Sequence, residues 1–100
     1  MKLGFAPDAL TDLLQIGDYI AQDNRKRART FVADIQRHCR KAAANPRSYP
    51  VQVTLTVELR RIVHGAYTIY FSVRPNEVRI ERVVNNAENI SPEQLRPDPR

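Results

Sequence analysis

Residues 58–84, ELRRIVHGAYTIYFSVRPNEVRIERVV, decide how this chain folds. Three runs, residues 59–63, 67–73 and 78–84, are rich in Val, Ile, Tyr and Phe, the side chains that fit a pleated, half-buried surface. His64-Gly65 separates the first two runs and Arg74-Pro75-Asn76-Glu77 the last two, so the stretch predicts a three-stranded meander. In the middle run Tyr67, Ile69, Phe71 and Val73 share one face, and Thr68, Tyr70 and Ser72 the other. One face is expected beneath a helical layer. The other is expected to be at least half exposed, with the Tyr70 hydroxyl open to a partner. In the last run the alternation of Val78 and Ile80 breaks at Arg82-Val83-Val84. Either a bulge near Arg82 or a strand end apolar on both sides accounts for that break.

Upstream of the meander the period changes from two to three and four. Leu3-Gly4-Phe5 reads as a short strand that ends before Pro7, a residue suited to the first turn of a helix. A first helix is expected over residues 8–22, with Ala9, Leu10, Leu13, Ile16, Gly17 and Ile20 at helical spacing. Asp8, Asp12 and Asp18 keep to other faces, and the first two suit the positive end of the helix dipole. Asp23-Asn24 offers a cap for a second helix over residues 25–44, whose apolar stripe is Ala28, Phe31, Val32, Ile35, Cys39 and Ala42. Its outer face carries Lys26, Arg29, Arg37, Arg40 and Lys41, which reads first as a solvated face. The short link between the helices predicts an antiparallel hairpin laid on a sheet. Asn45-Pro46 stops the second helix. Beyond Pro50, Val51, Val53, Leu55 and Val57 alternate with polar residues, giving an edge strand or an extended approach to the meander. Ser91-Pro92-Glu93-Gln94 predicts a brief helical turn near the C-terminus. The fold class is therefore α+β: a short N-terminal strand, an antiparallel helical hairpin and a largely antiparallel sheet ending in the meander. Residues 1–96 are expected to form a single domain and 97–100 a flexible tail.

Composition narrows the function without naming it. A chain of 100 residues has room for one core. Its net charge of +5 fits a nucleic acid or an acidic protein partner equally well. A single cysteine, Cys39, has no internal partner, lies on the apolar stripe and is expected to be a buried structural thiol in a reducing cytoplasm. No apolar run approaches the ~20 residues of a membrane-spanning helix. There is no glycine-rich phosphate loop and no metal-ligand spacing, so neither a metal nor any other cofactor is expected. His38 reads as a packed or surface residue and His64 as a turn residue, and a nucleophilic triad cannot be built from them.

What remains is an arginine–tyrosine surface of Arg60, Arg61, Tyr67, Tyr70, Arg79 and Arg82, the expected partner-binding residues. Guanidinium groups take phosphate or carboxylate bidentately, and tyrosines stack on bases or pack at interfaces. Metal-free RNA cleavage needs a group to deprotonate a 2′-hydroxyl, another to protonate the leaving oxygen, and cations for the charge that develops. Arg60, Arg82 and Tyr70 are the catalytic candidates for that chemistry, but an obvious general base is missing.

The order of elements, together with particular residues, resembles the ParE/RelE toxins of type II toxin–antitoxin modules. The matching pieces are Ala9…Asp12-Leu13…Ile16…Tyr19-Ile20-Ala21, Ala28…Phe31, Asn45-Pro46, Leu59-Arg60, Gly65…Tyr67…Ile69-Tyr70-Phe71 and Val78…Ile80…Arg82-Val83. The resemblance covers about residues 3–90. It implies a toxin neutralised by a cognate antitoxin whose acidic or amphipathic segment folds across the apolar and basic surface. RelE-like members cleave mRNA on the ribosome; ParE-like members inhibit DNA gyrase and lack that catalytic set. The helix-one pattern and Leu59-Arg60…Gly65…Tyr67 look more like ParE, and the lysines (Lys2, Lys26, Lys41) are absent from the meander. The resemblance thus implies a gyrase-binding inhibitor. The alternatives it leaves open are a ribosome-dependent ribonuclease acting on mRNA and a non-toxic protein that only pairs with its antitoxin. One departure stands out: where ParE-like chains commonly carry a His-Gly-x-Arg-Asp segment after the last strand, this chain has Asn85, Asn86, Ala87, Glu88 and Asn89.

Overall fold

The apolar periods translate into two helices on one face of a five-stranded sheet. A computed structural model describes residues 1–54 and 58–88. In chain order the elements are β1 (Lys2–Phe5), α1 (Pro7–Ala21), α2 (Arg25–Ala44), a 3-10 turn (Pro46–Ser48), β2 (Val51–Thr54), β3 (Glu58–His64), β4 (Tyr67–Val73) and β5 (Glu77–Asn85). Pro7 sits in the first turn of α1, and the Asn24 side chain caps α2 by accepting from the Arg27 N–H at 3.0 Å. Both starts follow the sequence expectation. The C-terminal turn expected at Ser91–Gln94, the tail, Leu55 and Val57 lie outside the described residues.

The sheet order is β1-β5-β4-β3-β2, antiparallel throughout except that β1 runs parallel to β5. A parallel pair cannot be joined by a tight turn, and here the helices and the first part of the meander intervene. Ala9 and Leu13 from α1, with Phe31, Ile35, Cys39 and Ala42 from α2, pack on Ile62, Ile69, Phe71, Val78, Ile80 and Val83 of the sheet. Full burial of one such large aliphatic side chain contributes about 1.5–3 kcal/mol, so this layer dominates the stability. Cys39 is wholly buried in it, and burial pushes its thiol up to about 12. It remains a neutral space-filling group, as its place on the stripe implies.

The irregular end of β5 is a bulge. Tyr70 pairs with Arg82 but Phe71 pairs with Ile80, which leaves Glu81 as the extra residue. The extra residue shifts the phase of the strand, so Val78 and Ile80 face the helices before it and Val83 faces them after it. Across Val51–Thr54, β2 pairs with β3 as an edge strand, with an irregularity between Val51 and Val53.

The second face of the sheet departs from expectation. Tyr70 is only 8% exposed, clustered with Leu59 and Val84 from the flanking strands. Cross-strand diagonal neighbours on a pleated face approach closely enough to enclose an aromatic ring, and they do so here. On the same face the buried Glu81 carboxylate accepts from the Ser72 hydroxyl at 2.6 Å and from Arg74 Nη2 at 3.5 Å. The Tyr70 ring is therefore buried on this face rather than half exposed as the alternation suggested.

Turn chemistry holds the far end of the meander. Gly65 has φ +57°, a left-handed conformation that costs glycine little and that other residues rarely adopt. Asn86 closes the end of β5 onto this turn. Its backbone N–H donates to Ala66 O at 2.8 Å, its side-chain amide donates to Gly65 O at 3.3 Å, and its Oδ1 accepts from the Thr68 hydroxyl at 2.5 Å.

Candidate functional site

Strand pairing on both sides of β5 ends at Ile80. Up to that point β1 supplies hydrogen bonds on the outer edge, the last being Ala6 N–H to Ile80 O at 2.8 Å. The chain then turns into α1, and the outer edge of β5 loses its strand neighbour. Asp12 of α1 takes that place. Its carboxylate accepts from the Val83 backbone N–H at 2.9 Å and from Arg82 Nε at 2.8 Å and Nη2 at 3.1 Å. The bidentate fork positions the carboxylate, and the third bond satisfies a backbone donor that would otherwise be orphaned. The Asp12 side chain is 11% exposed. Its hydrogen bond is also the main reason the Arg82 guanidinium is held above its ordinary value, so Arg82 stays charged. Asp12, which the sequence places at the helix dipole, is thus a clamp across 70 residues of chain.

The other meander arginines are also engaged. Arg60 donates from Nη1 to Tyr49 O at 2.6 Å and lies 3.6 Å from Glu58. Arg61 donates to the Gln52 side-chain oxygen, and Arg79 Nε donates to Glu77 at 3.3 Å. All five of the meander's arginines, Arg74 included, are half-buried. The three catalytic candidates do not meet at one point: Tyr70 and Arg82 are cross-strand partners on β4 and β5, but Arg60 lies on the opposite face of the sheet. Arg60 shares the helix-covered face with its cross-strand neighbour Phe71 and lines a cavity of about 170 Å³ with Arg47, Glu58 and Val73. Tyr70 lines a different cavity of about 140 Å³ with Thr68, Val84, Asn85, Asn86 and Glu88. Arg82 is turned to Asp12. Tyr67 packs edge-on against Phe31, with ring centroids 5.1 Å apart, and borders a third cavity with Ile16 and Tyr19.

The exposed cations lie elsewhere. Arg25, Lys26, Arg27, Arg29, Arg37, Arg40 and Lys41 of α2 are all exposed, and Asp34 is the helix's only acidic residue. Asp34 is paired with Arg37 at 2.9 Å. Between α1 and α2 runs an open groove of about 510 Å³, floored by Gly17, Ala21, Ala28 and Val32 and rimmed by Arg25, Arg29, Gln36 and one acidic residue, Asp18. On α1, Leu10 and Leu14 are 50% and 69% exposed, one helical turn apart. An apolar floor whose rim carries two arginines against one aspartate suits a segment that is apolar on one side and mainly acidic on the other.

Sequence reading missed Asp12, Glu81 and the pairing of His38 with His64, whose Nδ1 atoms are 2.9 Å apart. Asp12 and the histidine pair depend on contacts 70 and 26 residues apart, and Glu81 on partners across the β4–β5 hairpin that only the bulge brings to its face. Among the described residues no group of three or more His, Cys, Asp or Glu side chains is placed to hold a metal ion. No described helix is long and apolar enough to cross a membrane.

A family model for the "ParE toxin of type II toxin-antitoxin system, parDE" matches residues 3–90. Among solved structures the chain is similar to one titled "Chromosomal ParDE TA system from P. aeruginosa", with a TM-score of 0.72 at 20% identity. That similarity covers 85% of this chain and 95% of the other, and at such identity it speaks for the fold. No curated protein matches significantly.

Proposed function

The chain belongs to the ParE toxin family of type II toxin–antitoxin systems, and from that premise we propose that it binds and inhibits DNA gyrase without catalysis of its own. The observation that supports this reading is that the ribonuclease candidates are engaged within the fold, with Arg60 on the opposite face from the cross-strand pair Tyr70 and Arg82. Arg60 and Arg82 are tied to Tyr49 O and Asp12, and Tyr70 is buried in an apolar cluster. A phosphoryl-transfer site needs its acid, its base and its cations around one reacting atom. In this reading Arg60, Arg79 and Arg82 serve the sheet first, and Arg61 and Tyr67 contribute at most the rim of a contact surface.

The cognate antitoxin is the second partner in this proposal. Its neutralising segment is acidic and amphipathic, folds on binding, and occupies the α1–α2 groove with its acidic side toward Arg25 and Arg29. Purified protein is expected to inhibit gyrase supercoiling in proportion to the amount added and to leave mRNA uncut in a translation reaction. Codon-dependent mRNA cuts without loss of supercoiling would replace the gyrase reading with the ribonuclease one. Unimpaired growth on expression of soluble protein without antitoxin would replace both with a non-toxic antitoxin-binding protein.

A further inference from the structure

His38 and His64 lie on different layers of the fold and meet through like atoms. Their Nδ1 atoms are 2.9 Å apart and their ring centroids 5.2 Å apart, with the rings tilted by 55°. His38 projects from the C-terminal half of α2, and His64 is the last residue of β3, directly before Gly65. The His64 ring also stands edge-on to Phe31 at 6.0 Å, and Phe31 in turn packs on Tyr67 of β4. The histidine pair and these rings join α2 to the β3–β4 turn. An open cavity of about 370 Å³, lined by Asp34, Arg37, His38, Lys41 and His64, gives solvent protons access to the pair.

Two Nδ1 atoms at this distance bond only if one carries a proton and the other does not. In the neutral pair one imidazole is the Nδ1–H tautomer and the other the Nε2–H tautomer. One added proton is accommodated, because an imidazolium still donates to a neutral ring. A second puts N–H against N–H and two positive charges on adjoining rings. We propose that His38 and His64 form a proton-sharing latch that holds α2 to the β3–β4 turn and opens when both rings are protonated.

The surroundings set the direction of the response. From α2, Lys41 faces the pair with positive charge, while Arg37 and Asp34 line the same cavity bonded to each other. From β4 comes the Tyr67 ring, in contact with Phe31 rather than with a charge. The local field therefore opposes the second proton. Burial, His64 and Lys41, in that order, hold His38 below its ordinary value, which agrees with this direction. The latch concerns the β3–β4 turn and α2, not the α1–α2 groove, and stands whether or not the groove takes an antitoxin.

The test is an NMR titration of both imidazoles in chelator-treated protein from pH 8 to pH 4.5. At pH 8 the nitrogen shifts are expected to show one ring protonated on Nδ1 and the other on Nε2. On acidification the pair is expected to titrate in two steps separated by about tenfold or more in proton concentration. The Gly65 and Ala66 amides are expected to move with the second step. In H38L that amide response is expected to disappear. Independent titrations with coincident midpoints, or turn amides that stay still, would overturn the latch. So would uptake of one Ni²⁺ per chain at pH 8 that is lost in both H38L and H64L, since the two Nδ1 atoms would then belong to a metal. The wild-type titration decides the matter even if a variant folds poorly.

Discussion

In the meander the guanidinium groups of Arg60, Arg61, Arg74, Arg79 and Arg82 are half-buried, and each is bonded to a side chain or carbonyl of its own fold. Along α2 the cations Arg25, Lys26, Arg27, Arg29, Arg37, Arg40 and Lys41 stand exposed around one carboxylate, Asp34. The residue type is largely the same, but the environments differ, and environment decides what an arginine does. A desolvated guanidinium must be paired, and pairing commits it to the fold. An exposed one keeps its field for a partner and contributes little to stability. The positive charge that reaches outward is therefore concentrated on α2, and the charge in the sheet closes edges and gaps.

The sharpest break in this comparison comes from Asp12. D12A leaves Arg82 without its carboxylate and the Val83 N–H without an acceptor, and it is expected to cost about 3 kcal/mol in urea unfolding. The charge reversals R25E and R29E are expected to stay within about 0.5 kcal/mol in the same assay. Equal effects from the two sets would erase the distinction.

The reverse experiment reads binding. R25E combined with R29E is expected to weaken capture of the cognate antitoxin about tenfold, mostly through a slower, less salt-sensitive association. R79A, which removes a meander arginine without disturbing Asp12, is expected to change it less than about twofold. A surface-binding titration at two salt concentrations distinguishes these outcomes.

Much of the frame was legible in the sequence, because helix periods, the Pro7 start, the Asn24 cap and the strand alternation are local signals. The broken alternation at Arg82-Val83-Val84 left a bulge and a strand end apolar on both sides open. The structure has both, with Glu81 as the extra residue and Val83 and Val84 buried on opposite faces. The site was less legible. That Arg82 belongs to Asp12 depends on β1 ending where β5 continues, which no short window contains. Tyr70 looked outward-facing by alternation alone, and only the arrangement of β3 and β5 around β4 reveals that Leu59 and Val84 enclose it. The Asn85–Glu88 part of the departing segment also gained a structural role, because Asn86 pins the end of β5 to the turn.

Two smaller effects refine the picture at that turn. G65A forces a Cβ into a left-handed backbone and is expected to cost about 1 kcal/mol in chemical denaturation, with open space around the added methyl. The pH effect has a definite sign. His38 is held low in the folded state, so the unfolded chain binds more protons just below pH 6.5. Stability is therefore fully present above that pH and falls as the pH is lowered toward the folded value. H38L is expected to flatten this slope in urea midpoints measured across pH 7.5 to 5.

The most direct test removes the one meander hydroxyl that RNA cleavage would need as a proton donor. Y70F keeps the ring that fills the Leu59–Val84 cluster, so its fold is expected to survive, as checked by its thermal midpoint. In a gyrase supercoiling assay Y70F is expected to inhibit as well as the native protein, within about twofold. A Y70F protein that is fully folded yet harmless, alongside a native protein that cuts mRNA, would contradict a chain that grips its target rather than cutting it.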